Sequence, residues 1–438
     1  MEAQYILSLV FILGALIVLM ALGMHIAFAF LLITLVGAIS FWGYDAGSNL
    51  FIHNIRLSLS KFFLLPILMF VIMGNVMFHS GMGMAMLDTM NKWLGRLPGR
   101  LALLAVGFCT LFSTMSGSQI ATTSMMGSIL TPEMEKRGYG KSMSVGAVMG
   151  AGGLAMIIPP SGLAVLLGAI ANISVGKLLI AGIIPGLIMA VFYAGYIILR
   201  CWLQPSIAPP YDLEHIPLSE KVSDTVRYVI PLVLIVFLVL GLIFLGWATP
   251  AESAAAGAIG SLILATFYKK LNWDLIKKST MLTVQTAGNV LIIITGATTF
   301  SQILAYSGAS RYLAELAVSL PLAPILLIIS MQVLLLFLGM FMGSVPMIMI
   351  TMPIFMPIIL ALGFDPVWFG IITLINMEMS ATTPPVGMGL FVMKSVAPDT
   401  EMSVIYKAGL PFLGCDLATI ILLMLFPPLV LWLPALMM

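Results

Sequence analysis

Charge is what this sequence lacks most. Of its 438 residues only 8% are Asp, Glu, Lys or Arg, 61% are hydrophobic, and the mean hydropathy is +1.14. A soluble chain needs a charged exterior, so the composition excludes one and points to an all-α polytopic membrane protein. Lys and Arg total 19 against 17 acidic residues, a balance that offers nucleic acid no basic face. Cysteine is also scarce. Cys109, Cys201 and Cys415 lie far apart in apolar segments without C-x-x-C spacing, which disfavours both a disulfide framework and a zinc site. The histidines, His25, His53, His79 and His215, are scattered, and no G-x-x-x-x-G-K-[ST] run is present. The chain is therefore not expected to be an enzyme, and in particular not to hydrolyse ATP through a phosphate loop. Its first residues carry Glu2 and no basic stretch, so 5–23 is expected to be a retained first crossing rather than a signal peptide.

What is present is a series of apolar runs near 5–23, 26–43, 62–80, 143–171, 178–200, 229–247, 251–268, 281–305, 367–397 and 403–436. At about 1.5 Å rise per residue, about 20 residues span the hydrocarbon, which gives an expectation of ten crossings. Two further segments read as re-entrant hairpins. The segment 101–130 has Ser116-Gly117-Ser118-Gln119 at its centre, leaving arms of roughly 22 Å, too short for a core of about 30 Å. The segment 325–359 is punctuated by Gly339, Gly343, Pro346, Pro353 and Pro357 and has longer arms. With this layout 15 basic residues fall on one side, while only Arg56, Lys61, Lys177 and Arg311 fall on the other. That asymmetry places the 15 in the cytoplasm and both termini outside.

A polar connector, 204–227, divides the chain into a first repeat (1–203) and a second (228–438) of five crossings each. An odd number per half gives them opposite orientations. Short motifs recur at nearly one spacing. Ser80-Gly81 returns at Ser307-Gly308, Gly117-Ser118 at Gly343-Ser344, Pro159-Pro160 at Pro384-Pro385, and Pro185 at Pro411. This is the inverted-repeat pattern of secondary transporters.

Each double proline removes two backbone donors and breaks its helix, freeing carbonyls that can ligate a cation. The hairpin turn adds the Ser116 and Ser118 hydroxyls, with Gly117 permitting a tight bend. Carbonyls plus hydroxyls form a sodium-type oxygen site, and the helix starts beside them turn amides toward an anion. The repeat then implies two cation sites flanking one anion site, with Gln119, Ser161, Gly162 and Val386 in its vicinity. For any one motif the plain alternatives are a kink or helix packing; the repeated pairing of turn and break favours function. Glu378 is an intramembrane acid and a functional candidate. Asp416 and Arg311 are expected nearer the interfaces. Thr249-Pro250-Ala251-Glu252 has capping-box spacing, which makes Glu252 a helix-start acceptor. The methionines, 34 in all, crowd the second hairpin at Met340, Met342, Met347, Met349, Met352 and Met356, where core filling is the default reading and an adaptable sliding interface the alternative.

Over essentially its whole length the chain resembles the large membrane subunit (DctM-like, M subunit) of tripartite ATP-independent periplasmic (TRAP) transporters. The residues that carry this are Met73-Gly74-Asn75-Val76-Met77, Ser80-Gly81, Ser116-Gly117-Ser118 with Ala121, Ile158-Pro159-Pro160-Ser161, Ala181-Gly182-Ile183-Ile184-Pro185-Gly186, Trp247 through Gly257, and Thr382-Thr383-Pro384-Pro385-Val386-Gly387. Gly23-Met24-His25 departs from the glycine-proline pair the family places there. The resemblance implies a sodium-driven importer of organic anions such as C4-dicarboxylates, sialic acids or sulfonates in a bacterial inner membrane. It also implies an elevator mechanism with an elevator-type ion-transporter fold, a small membrane subunit (Q) and an extracytoplasmic substrate-binding protein (P). By motif match, a first sodium site uses Ser116, Gly117 and Ser118 with carbonyls from Ala155 to Pro159 and Pro160. A second uses Gly343 and Ser344 with Thr382, Thr383, Pro385 and Gly387. The other readings are a stand-alone sodium-coupled dicarboxylate carrier of similar fold, a membrane subunit of an ion-translocating complex, and a passive channel. The channel is disfavoured because paired breaks suit alternating access better than a continuous pore.

Overall fold

The computed structural model describes residues 14, 15, 18, 19, 22–24, 26–60, 64–95, 97–116, 119–209, 216–306 and 308–437, and among these there are helices and loops but no strand. A helix satisfies every backbone group within one segment, which is what hydrocarbon demands. The expected first crossing lies largely outside the described residues, as do His25, Lys61, Arg96, Gly117, Ser118 and Ser307.

In the first half, α1 (Ile26–Trp42) leads to α2 (Tyr44–Leu59) and α3 (Leu64–His79), which meet at a bend of 46°. The amphipathic α4 (Met82–Trp93) precedes α5 (Arg100–Ser116) and α6 (Gln119–Lys136). Helix α7 (Lys141–Gly153) then passes through a 3-10 turn (Leu154–Met156) into the double proline, whose Pro159–Pro160 bond is cis. Beyond it come α8 (Gly162–Ile170), α9 (Val175–Ala181) and α10 (Ile183–Leu203). Within the expected connector Pro205–Ile207 forms a 3-10 turn, residues 210–215 lie outside the described residues, and the part from Leu218 onward is helical. Helix α11 (Leu218–Asp224) continues through a π turn (Thr225–Val229) into α12 (Ile230–Phe244). Polar composition marks exposure rather than loop, and here Lys92 Nζ, 2.6 Å from both Glu220 and Asp224, fastens an exposed helix to α4.

The second half runs α13 (Pro250–Phe267), α14 (Trp273–Tyr306), α15 (Ala309–Ser319), α16 (Pro324–Gly339), α17 (Ser344–Ala361) and α18 (Pro366–Thr382). After the cis Pro384–Pro385 bond follow α19 (Met388–Val396), α20 (Met402–Leu425) and α21 (Pro428–Ala435). Helix α13 opens with the expected capping box: Thr249 Oγ1 accepts from the Glu252 amide at 3.3 Å, and Glu252 Oε2 accepts from the Thr249 amide at 2.8 Å.

Six described helices are each long and apolar enough to cross a membrane, and α2 with α3 makes a seventh as a bent pair. The count bears on nine of the ten expected crossings, since 5–23 lies largely outside the described residues, and among those nine it is lower for physical reasons. The double prolines split 143–171 and 367–397 into short pieces, and α1 has 17 residues. Pro353 and Pro357, expected to punctuate the second hairpin, lie inside the continuous α17, so the chain breaks there only between Gly339 and Ser344.

The helix order of the first half recurs in the second. Gly81 (φ +74°) and Gly308 (φ +73°), 227 positions apart, both start the short helix after a long one in the left-handed conformation that glycine adopts freely. Packing repeats as well. Phe30 of α1 meets Phe300 of α14 edge-on with ring centroids 5.3 Å apart. At the same spacing of 227, Gly257 of α13 stands against Met73 of α3. The halves also exchange partners, α6 packing on α19 and α17 on α8. At the centre are α7 and α18, buried from Met143 to Gly153 and from Val367 to Thr382. Small residues permit this: Gly146 and Gly150 let Phe412 of α20 lie directly on α7. Met347, Met349 and Met352 fill the core beside α18.

Candidate substrate cavity and ion half-sites

Between α3 and α14 on one side and the helix breaks on the other lies a cavity of about 850 Å³. That is the size of a small-molecule site, and the lining is predominantly apolar with a few convergent polar groups, as such sites are. Asn75 and His79 come from α3, Thr286 and Asn289 from α14, and Ser380 from α18. Gln119, Gly162 and Ser344 line the opposite wall, each at the start of its helix, α6, α8 and α17. Three helix starts opening on one space turn partial positive charge toward it. Among the described residues Gln119 Nε2 is buried without a partner. Asn75 Nδ2 donates to Thr283 Oγ1 at 3.2 Å, and His79 Nδ1 lies 2.9 Å from the Asn75 carbonyl.

The expected first ion site is only partly in view. Gly117 and Ser118 lie outside the described residues, and Ser116 closes α5. Ala155, Pro159 and Pro160 are buried in the break. Ser161 caps α8, its Oγ accepting from the Ala164 amide at 3.2 Å and donating to the Met156 carbonyl at 2.7 Å. At the second break, Thr382 and Thr383 each donate to the Met379 carbonyl, at 3.1 and 2.6 Å. The Pro385 carbonyl accepts from the Tyr406 hydroxyl at 2.9 Å. A Cβ on Gly387 would stand 2.5 Å from the Ala381 carbonyl oxygen and 2.8 Å from that of Thr383, so two carbonyls converge on this turn. Gly343 lies beside Met388 at the start of α19, and Gln119 lies beside Gly389 one residue later. The start of α6 and the turn before α17 therefore both meet the second break. Of the residues expected near the substrate, Gln119 and Gly162 line the cavity; Ser161 is turned into its cap, and Val386 is 43% exposed away from the cavity.

The family model described as "Tripartite ATP-independent periplasmic transporter, DctM component" matches residues 13–429. The chain belongs to this family. It is 33% identical over 374 residues to the C4-dicarboxylate TRAP transporter large permease protein DctM of Pseudomonas aeruginosa, covering 85% of this chain and 86% of that one. It is 28% identical over 414 residues to the sialic acid TRAP transporter large permease protein SiaM of Vibrio cholerae, covering 94% and 93%. In fold it is similar to the Alcanivorax borkumensis YdaH transporter, with a TM-score of 0.62 at 15% identity over 89% of each chain. The family is a transporter permease and not an enzyme.

This DctM component holds a second polar cluster, away from the cavity. Glu378 of α18 and Asp416 of α20 are each 1% exposed, and the hydroxyl of the fully buried Tyr193 of α10 is within hydrogen-bond reach of both. The expected interfacial position of Asp416 is thus corrected. It occupies the buried stripe of α20 with Phe412 and Thr419, and the stripe, not the helix end, sets its depth. Arg311 does lie at the surface, paired with Glu315 at 2.9 Å. Asn75, His79, Asn289, Tyr193 and Asp416 were not among the expected site residues. The signal for Asn75 is a lone amide in an apolar helix, whereas Asn289 shares α14 with Gln285 and Gln302. Tyr193 and Asp416 gain meaning only when three distant helices are brought together.

Proposed function

We propose that this DctM component is the substrate-translocating subunit of a sodium-coupled importer of an organic anion. It works with a small membrane subunit and an extracytoplasmic binding protein that delivers the substrate, in the inner membrane of a bacterium. The observation that carries this reading is the cavity of about 850 Å³ onto which α6, α8 and α17 open their amide ends. An apolar space faced by helix starts and by Gln119, Asn75 and His79 suits a small anion. The names of relatives, C4-dicarboxylate and sialic acid permeases, fall in that chemical class.

Sodium suits the oxygen donors at the second break. Hard cations take carbonyl and hydroxyl oxygen, and the Ala381 and Thr383 carbonyls crowd Gly387 beside the Thr382 and Thr383 hydroxyls. Ser344 and the Gly343 turn would complete that site. Ser116, Gly117 and Ser118 with the 155–160 break would form its counterpart. Because the cavity lies between α3 with α14 and the hairpin-and-break elements, movement of the latter past the former would carry the substrate across as an elevator. The two halves then act as inverted repeats, 1–203 and 228–438, joined by 204–227.

The test is uptake into proteoliposomes containing this chain and its small membrane partner, with and without an inward sodium gradient and the binding protein. Uptake that needs both supports the reading. Sodium-driven uptake without a binding protein would replace it with a stand-alone carrier. Ser118→Ala and Thr383→Ala are expected to raise the sodium concentration for half-maximal uptake while leaving folding intact, and unchanged sodium dependence in both would remove the assigned sites.

A further inference from the structure

The cluster of Glu378, Asp416 and Tyr193 has too few protons for its contacts if both carboxyls are ionised. The Tyr193 hydroxyl lies 3.2 Å from Glu378 Oε2 and also contacts Asp416 Oδ1, so both carboxyl groups meet on one hydroxyl. A phenol donates one proton and a carboxylate none. With both acids charged, a single hydrogen bond would form and the other contact would set lone pairs against lone pairs.

Nothing nearby neutralises such a pair. Among the described residues neither carboxylate forms an ion pair with Lys, Arg or His. The titratable groups facing it among the described residues are Tyr193 from α10 and Cys415, beside Asp416, from α20, while α7 sets Gly153 against Glu378. The outer oxygens, Glu378 Oε1 and Asp416 Oδ2, are buried and have no hydrogen-bond partner among the described residues. An ionised carboxylate in such a place has lost its water and gained nothing in return. Two acids in contact cannot both ionise there, and they titrate as a unit.

We propose that Glu378 and Asp416 form a proton-binding site, holding one proton between them with Tyr193 as the bridging hydroxyl. Binding converts one carboxylate to a carboxylic acid by taking a proton from water, with no other reactant. The bound proton lets the acid donate to the tyrosine oxygen while Tyr193 donates to the other carboxylate, so both contacts of the hydroxyl become hydrogen bonds. The position gives the site its consequence. Glu378 stands five residues before Thr383 at the second break, and its carboxyl lies against Gly153, the last residue of α7 before the first. Loss of the proton places two like charges where α7, α10, α18 and α20 meet, and the packing of both breaks loosens together. The site stands whatever the cavity carries.

Infrared difference spectroscopy on the full chain reconstituted in lipid tests this at about pH 7.5, where water-exposed carboxyls, with pKa near 4, are ionised. The expected spectrum shows the carbonyl stretch of a protonated carboxyl, shifted in heavy water, with an intensity of one group per chain. The band is expected to disappear in Glu378→Gln. Absence of the band in the wild-type protein overturns the proposal, as does a band unchanged in both Glu378→Gln and Asp416→Asn. A band that appears only when sodium is withdrawn would assign the pair to the cation and overturn it equally. If Glu378→Gln does not fold, the wild-type and Asp416→Asn spectra still decide.

Discussion

The carboxyl group of Glu378 rests on the α-carbon of Gly153, so closely that a Cβ at position 153 would overlap the glutamate's Oε1, Cδ and Cγ. One residue on the first broken helix and one on the second are thereby fitted to each other through a contact that admits only hydrogen. Gly153→Ala is expected to force the glutamate aside and cost about 1–3 kcal/mol, as overpacking does. Thermal unfolding of the purified chain measures this. Gly153→Ala with Glu378→Ala should be less destabilised than the sum of the single changes, with a coupling of about 0.5–3 kcal/mol. Strict additivity would mean that the two residues do not share the space.

Lys92 binds the helix that follows the connector to α4 through Glu220 and Asp224, both at 2.6 Å. These two acceptors raise the lysine's pKa above its ordinary value, with the hydrogen bond to Asp224 the largest cause. A lysine with a raised folded pKa stabilises fully below its unfolded value of about 10.4, and loses that contribution only as pH climbs through the folded value. Lys92→Met is therefore expected to lower the unfolding temperature slightly and by the same amount between about pH 6 and pH 9. The effect should correspond to no more than about 1 kcal/mol and shrink in high salt, because the groups are partly exposed. A loss that varies strongly across that pH range would contradict the assignment.

Two contacts between the halves predict unequal effects from equal substitutions. At Gly296 of α14 a new methyl would lie 2.6 Å from Phe30 Cβ and 3.4 Å from the Leu31 backbone nitrogen, atoms that move only with α1. At Gly257 of α13 it would meet the Val239 Cγ2 at 2.7 Å and the Met73 sulfur at 2.8 Å, and a thioether can turn aside. Gly296→Ala is expected to cost about 1–3 kcal/mol and Gly257→Ala less. Comparing the midpoints of thermal unfolding settles the order, and a reversed order would mean that α1 yields more readily than Met73.

Much of this architecture is legible in the residues because glycine and proline act locally. The two double prolines, the left-handed Gly81 and Gly308, and the Thr249 cap each dictate the backbone within a few positions, so the helix order and its recurrence can be read from spacing. Amphipathic α4, α15 and the helical part of the connector escape notice because an exposed helix and a polar loop have similar compositions. Side-chain chemistry is less legible. Gln119 and Gly162 can be placed near a substrate because they adjoin a break, whereas His79 reaches the cavity from the end of α3, beside the Gly81 turn and far in sequence from either double proline. Asp416 looks superficial in a sequence where every neighbour is apolar, and only the stripe it shares with Phe412 shows that it faces Tyr193.

Gln119 provides the sharpest test of the cavity. Its amide nitrogen is buried, has no partner among the described residues and belongs to the residue that begins α6 on the cavity wall. Substituting it removes no hydrogen bond of that nitrogen within the protein, so Gln119→Leu is expected to fold normally. A hydrogen bond to a charged group contributes about 1.5–3 kcal/mol, which corresponds to a rise of about 10-fold to 150-fold in the substrate concentration for half-maximal uptake. Gln119→Glu adds a negative charge where three helix starts attract an anion, and it should weaken uptake further at the same expression level. Concentration-dependent uptake in proteoliposomes distinguishes the outcomes. If both variants leave half-saturation unchanged, the amide does not touch the substrate, and the anion must be held by the helix ends and by the α3 and α14 wall alone.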